Sequence, residues 1–171
     1  IKKPPDIIIY TNVANVNIYI FKGKKYYLTI RRGKNMEYKK KFGFGCMRLP
    51  LTDKDNPASV DQELFNQMVD IYMEKGFNYF DTSYAYHNGM SEAAIRKAVV
   101  ERYPRESYLI CDKMPTWALT CEEDNDKFVA EMLDRLGIEY FDVFFVHNIN
   151  VPWYKLAENA KAFEYVKKMT T

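Results

Sequence analysis

Asp81, Tyr86, Lys113 and His147 are the residues of this chain best suited to chemistry, and each stands where an apolar run gives way to polar residues. Asp81 closes the aromatic run Phe77-Asn78-Tyr79-Phe80, and Tyr86 follows five residues later. Lys113 lies near the end of SYLICDKMP, and His147 near the end of YFDVFFVHNIN. An ammonium favours the ionised form of a neighbouring phenol, so a Tyr beside a Lys is a usable general acid. A carboxylate beside that Lys keeps it charged and placed, and a His can donate to a carbonyl oxygen and orient it. The four together suit protonation of a carbonyl oxygen as hydride reaches its carbon. Taken alone, Asp81 reads as a helix cap or loop carboxylate; the other strand ends change that reading.

The elements that must position them alternate regularly from Phe42 onward. FGFGCMRLP (42–50), FNYFDTS (77–83), SYLICDKMP (107–115) and YFDVFFVHNIN (140–150) read as short strands, the last almost wholly apolar as a strand buried on both faces should be. Between them lie helical patterns. Leu64, Met68, Ile71 and Tyr72 form the first stripe, behind a Ser59/Gln62 capping box. Ala94, Ile95, Ala98 and Val99 form the second. Phe128, Val129, Met132, Leu133 and Leu136 form the third, behind a Thr120/Glu123 capping box and ahead of Gly137. A last helix is expected from about Tyr154, with Leu156, Ala160, Phe163 and Val166 inward. Four βα units with short links imply parallel strands and right-handed crossovers. GFGCMRLP lacks the third Gly of a dinucleotide-binding turn and does not enter a helix, which favours a barrel over an open sheet. A (β/α)8 barrel takes about 250 residues. The expected fold is therefore α/β, a partial (β/α)8 barrel of about four βα units.

Composition excludes several classes. With 47% apolar and 28% charged residues the chain is ordinary for a globular protein. It contains no apolar run of about 18 residues, so no membrane span is expected. Three Cys without metal-ligand spacing suggest reduced thiols and a cytoplasmic setting. Only two His, not paired at ligand spacing, argue against a metal-dependent hydrolase or isomerase. The net charge of +2 hides a division: residues 1–41 hold eleven Lys/Arg against two Asp/Glu, and residues 42–171 fourteen against twenty-one. The basic segment carries no nucleic-acid motif, and no nucleic-acid partner is expected. Residues 1–35 read as a separate basic extension. VNIYIF (16–21) and YYLTI (26–30) around Lys22-Gly23-Lys24-Lys25 suggest a hairpin. Alternatively, Met36 opens a natural start and Arg31-Arg32 reflects a purine-rich ribosome-binding site, which would make 1–35 a translated leader. Residues 36–171 form the second unit.

FDTSYAYHNGMSE resembles the Asp-Thr-Ala-x-x-Tyr-Gly-x-Ser-Glu region of the aldo-keto reductases, with Asp81, Tyr86 and Ser91-Glu92 at the matching positions. Lys113 and His147 fall at that family's catalytic Lys and His, and FGFGCMRLP resembles its first barrel strand. Residues 36–171 look like the N-terminal half of such an enzyme. MRLP, YHNGMSE, ICDKMP and VHNIN look most like the bacterial branch whose longer members carry a Cys-rich iron–sulfur domain. The resemblance implies reduction of an aldehyde or ketone by NADPH or NADH. Tyr86 would be the general acid, Lys113 its tuner, Asp81 the partner of Lys113, and His147 the orienter of the carbonyl. Gly45, Met47, Arg48 and Asn148 are the expected cofactor contacts, and Tyr84 and Trp117 the expected substrate contacts; no metal is expected.

The family's phosphate-binding loops and nicotinamide-stacking aromatic belong to the half that this chain does not match. The 171-residue chain is therefore expected to be a fragment, inactive by itself. The competing reading is a non-catalytic half-barrel that forms a homodimer through its open strand edges or binds a partner.

Overall fold

The computed structural model describes residues 8–13, 16–21, 24–27 and 40–169. The basic extension contributes β1 (Ile8–Val13), β2 (Val16–Phe21) and β3 (Lys24–Tyr27), paired antiparallel in the order β1-β2-β3. Phe21 of β2 pairs with Lys24 of β3. Positions 28–30 of the expected second hairpin strand, the Arg31-Arg32 segment and Met36 lie outside the described residues.

The rest is a four-stranded parallel sheet in the order β4-β5-β6-β7. Its strands are β4 (Gly43–Gly45), β5 (Tyr79–Asp81), β6 (Leu109–Met114) and β7 (Val143–Val146). Gly45 pairs with Asp81, Asp81 with Cys111, and Cys111 with Val143. This register brings the carboxyl ends of the strands together along one rim. The helices are α1 (Gln62–Glu74), α2 (Met90–Ile95, continued as a π-turn over Arg96–Val100), α3 (Asp124–Leu136), α4 (Val151–Asn159) and α5 (Ala162–Met169). The architecture is half of a (β/α)8 barrel. Phe80, Ile110 and Phe144, one from each of three neighbouring strands, are fully buried in one core with Phe65, Ile95, Val99, Met132 and Leu136. Each such side chain contributes roughly 1.5–3 kcal/mol by leaving water.

The inward face of α1 differs from expectation. Phe65, Val69 and Tyr72 are buried, whereas Leu64, Met68 and Ile71 are 43%, 38% and 54% exposed. Two apolar stripes run along this helix one residue apart, and periodicity alone does not choose between them. Tertiary contacts do. The Tyr72 hydroxyl lies 2.7 Å from the Phe42 carbonyl and 2.9 Å from that of Tyr79, while Phe44 packs edge-on against Phe65 and Tyr72.

Neither capping box forms. Asp61 caps α1 by accepting from the Leu64 N–H at 3.0 Å, and the Ser59 hydroxyl is used within the 53–59 loop. Ahead of α3, Asp124 takes the acid's place one residue later than expected, accepting from the Thr120 N–H and hydroxyl at 2.7 and 2.6 Å. The last helix begins at Val151 behind an Asn150 cap and is broken near Lys161, whose φ of 52° lies in the left-handed region. The expected stop of α3 holds: Gly137 has φ 69°, which only glycine adopts without strain.

Candidate active site

The site is built on the rim where β5, β6 and β7 end. Asp81 is the last residue of β5, Lys113 lies one residue before the end of β6, and His147 follows β7 directly. Lys113 is the hub. Its ammonium donates to Asp81 Oδ1 at 2.6 Å, to the Thr82 carbonyl at 2.5 Å and to the Tyr86 hydroxyl oxygen at 3.3 Å. All three N–H bonds are thus used. The Tyr86 oxygen accepts from Lys113, which leaves its own hydrogen free to be donated elsewhere. Burial works to lower the Lys113 pKa. The charge of Asp81 and its hydrogen bond outweigh it and leave the pKa raised. Cys111 is held by burial as a neutral thiol, so the Asp81 carboxylate is the anion that matters at neutral pH.

His147 closes the group. Its ring lies 6.0 Å from that of Tyr86, centroid to centroid, and 5.6 Å from Trp117. Burial, then the Lys113 charge, lowers its pKa to about 4, so the imidazole is neutral at physiological pH. Its Nδ1 lies 2.8 Å from the hydroxyl of Ser83, a residue that motif matching passed over. The backbone is fastened on both sides: the His147 N–H donates to the Met114 carbonyl at 3.2 Å, and the Thr116 hydroxyl donates to the His147 carbonyl at 2.6 Å.

Tyr86 sits on a strained turn. His87, Asn88 and Gly89 have φ of 55°, 54° and 85°, three successive left-handed residues of which only the last is glycine. Such conformations cost of order 1–3 kcal/mol for a non-glycine residue and persist where surroundings enforce them. Here His87 is the enforcing group. Its Nε2 accepts from the Leu49 N–H at 2.9 Å, and its Nδ1 donates to the Pro57 carbonyl at 2.8 Å, tying the turn to the loop after β4. Its interaction is structural, made with backbone.

The other expected residues divide. Gly45 ends β4 beside Asp81, and a Cβ built there meets nothing within 4 Å, so this rim position is open. Met47, Arg48 and Asn148 are exposed on the loops after β4 and β7. Trp117 lies between His147 and Trp153, whose indole is 5.7 Å away, and the two indoles form an aromatic wall. Tyr84 does not join the group. Its ring packs edge-on against Phe128 at 5.2 Å and under the Arg135 guanidinium at 4.4 Å, and its hydroxyl donates to Glu131. The expectation of a substrate-facing Tyr84 is therefore corrected: α3 offers it both a charge and an acceptor.

Beneath Lys113 the strand's other face carries a second polar group, Asp112 with the Glu92 of the matched Ser-Glu pair. Asp112 and Glu92 are both fully buried. Asp112 Oδ1 accepts from the Lys113 N–H at 2.8 Å and Glu92 Oε2 accepts from Arg135 at 2.9 Å, while the other oxygens, Asp112 Oδ2 and Glu92 Oε1, are buried with no donor supplied to either among the described residues, and each carboxyl perturbs the other. Burial raises both, Glu92 to about 7 and Asp112 well above the usual carboxylate range. Two carboxyls can share a bond only with a proton between them, and Arg135 favours leaving the charge on Glu92. Arg135 also donates to Glu131 and approaches the Tyr84 carbonyl, so this cluster joins α2, α3 and the loop carrying Tyr86.

Comparison with known proteins bears on this geometry. The model of the aldo/keto reductase family matches residues 41–169. The chain belongs to that family. A curated relative, probable aldo-keto reductase 1 of Glycine max, is 27% identical over 125 residues, covering 64% of this chain and 33% of its own. An aldo-keto reductase of Bacillus halodurans, solved in a holo form, superposes with a TM-score of 0.57 at 22% identity, covering 86% of this chain and 44% of that one. An aldo/keto reductase from Brucella melitensis gives 0.52 at 18% identity, covering 74% and 44%. The chain thus spans about a third of the curated relative and under half of these solved chains. The superpositions establish the partial barrel, and the family match covers its four βα units. Among the described residues no helix is long and apolar enough to cross a membrane.

Proposed function

We propose that Asp81, Tyr86, Lys113 and His147 form the proton-delivering site of a nicotinamide-dependent reductase of aldehydes or ketones. The observation that carries this reading is the Lys113 ammonium held between the Asp81 carboxylate and the Tyr86 oxygen. A carbonyl oxygen placed between Tyr86 and His147 would receive hydrogen bonds from both. As negative charge grows on it, the Tyr86 proton passes to that oxygen. The resulting phenolate is stabilised by Lys113, which Asp81 and the Thr82 carbonyl hold in place. The neutral imidazole orients the oxygen without competing for the proton. Trp117 and Trp153 supply apolar surface for the remainder of the substrate.

NADPH or NADH, when bound, supplies the hydride. The open Cβ position of Gly45, with exposed Met47, Arg48 and Asn148 on the neighbouring loops, fits the approach of a flat ring and its carboxamide to this rim. Because the chain spans under half of its solved relatives, we assign turnover to the longest product of its gene. The 171-residue chain alone is expected to bind cofactor weakly and to turn over little.

The test is NAD(P)H oxidation with a panel of aldehydes and ketones in that longest product. Tyr86→Phe and Lys113→Met should each lower kcat by at least about 10²-fold, the usual worth of general acid catalysis. Retention of wild-type kcat by either variant would remove the proposed roles.

A further inference from the structure

We propose that Ser83 is a positioning residue whose hydroxyl donates to His147 Nδ1 and so holds the imidazole as the Nε2–H tautomer. The proposal deepens the carbonyl-reductase reading above and rests on it only for what the Nε2–H is used for. Ser83 stands where the Asp-Thr-Ala pattern has Ala, so its hydroxyl is an addition to that pattern.

Ser83 is fully buried, and its Oγ lies 2.8 Å from His147 Nδ1. If Nδ1 carried the ring's proton, it would donate to Oγ, and the serine hydrogen would need another acceptor. Among the described residues Ser83 Oγ has no other hydrogen-bond partner. An orphaned buried donor is disfavoured strongly enough to shift a two-state ratio by roughly tenfold or more. The hydroxyl therefore donates and Nδ1 accepts. In a neutral ring the proton must then sit on Nε2, and among the described residues no group accepts from it. The ring cannot easily turn over to exchange its nitrogens, because Tyr86 and Trp117 pack edge-on against it.

The second histidine is locked the opposite way. The Pro57 carbonyl can only accept, so His87 Nδ1 carries the proton, and Nε2 accepts from the Leu49 N–H. The chain has only these two His residues. One of each tautomer is expected, and His87 serves as an internal reference.

The experiment is long-range ¹H–¹⁵N correlation on the 171-residue chain labelled with ¹⁵N-histidine, near neutral pH. The wild type should show one ring protonated at Nε2 and one at Nδ1. Ser83→Ala should move the His147 tautomer ratio by about tenfold or more towards a mixture while His87 is unchanged. Ser83→Thr, which keeps the hydroxyl, should restore the wild-type pattern. A His147 protonated at Nδ1 in the wild type would overturn the proposal, and this spectrum decides even if Ser83→Ala fails to fold. So would an unchanged His147 pattern in folded Ser83→Ala. The spectrum needs neither cofactor nor substrate. If the tautomer is as stated but the longest gene product reduces no carbonyl compound, the reductase reading falls and the positioning of His147 stands.

Discussion

Replacing Asp112 with Asn should be almost silent near pH 7, whereas Asp112→Leu should cost roughly 2–6 kcal/mol. The difference follows from the hydrogen that the buried carboxyl pair must share. Asp112 accepts from the Lys113 N–H with Oδ1, its buried Oδ2 and Glu92 Oε1 have no other partner among the described residues, and Arg135 opposes the burial that raises the Glu92 pKa, so a proton held on Asp112 is the one that serves both carboxyls. The amide of Asn repeats this pattern, with an acceptor towards Lys113 and a donor towards Glu92. Leu removes both, leaving a buried N–H without an acceptor and a buried carboxylate without its donor, at about 1–3 kcal/mol each. Urea denaturation of the 171-residue chain measures the two costs. The pH dependence gives a second reading. Burial raises both folded-state pKa values, so the folded chain holds protons that the unfolded chain has shed. That contribution is fully present below the ordinary carboxyl range, near pH 4, and is lost as pH rises through the raised values. Between pH 5 and 7 Asp112→Asn should remove a slope of up to about 1.4 kcal/mol per pH unit, one proton's worth. His147 acts in the opposite sense, because its lowered pKa makes stability rise with pH between about 4 and its ordinary value. Subtracting variant from wild type cancels that term. Equal costs for Asn and Leu, or an unaltered pH slope in the Asn variant, would show that Asp112 carries no shared proton.

Two further outcomes test how the scaffold holds the site. Tyr72→Phe removes the hydroxyl that bridges the backbone around β4 and β5, where its oxygen lies 2.7 Å from the Phe42 carbonyl and also accepts from the Tyr79 N–H. It should destabilise the chain by about 1–3 kcal/mol in chemical denaturation, with native-like circular dichroism. Gly137→Ala forces a side chain onto a residue with φ of 69°, and the new Cβ would stand 3.0 Å from Arg96 Nε. A loss of about 1–2 kcal/mol is expected from the backbone alone, read as a lowered Tm. An unchanged Tm would show that the α3 terminus tolerates the left-handed conformation with a side chain.

The proposed constellation was legible because its residues are tied to local sequence. Asp81, Lys113 and His147 lie at the carboxyl ends of apolar runs, with Tyr86 on the turn five residues past Asp81, and parallel strands in register must bring such ends to one rim. The strand and helix order, the α3 stop at Gly137 and the partial barrel follow from the same short-range patterns. Ser83 left a faint signal, a hydroxyl where the family's pattern has Ala, but nothing in one dimension says that His147 lies 64 residues away against it.

What the sequence by itself determined about this protein is therefore its order of elements, its family and the identity of the four polar groups on the rim. Tertiary structure alone decided which of two apolar stripes on α1 turns inward, that Tyr84 packs on α3, and that Asp112 and Glu92 are buried together beneath Lys113. It also decided that His87 pins the turn bearing Tyr86. The physical reason is common to these cases. Periodicity reports that a face is apolar, and residue type reports what a group can donate or accept. Which partner is present at 2.8 Å depends on the packing of segments far apart in the chain.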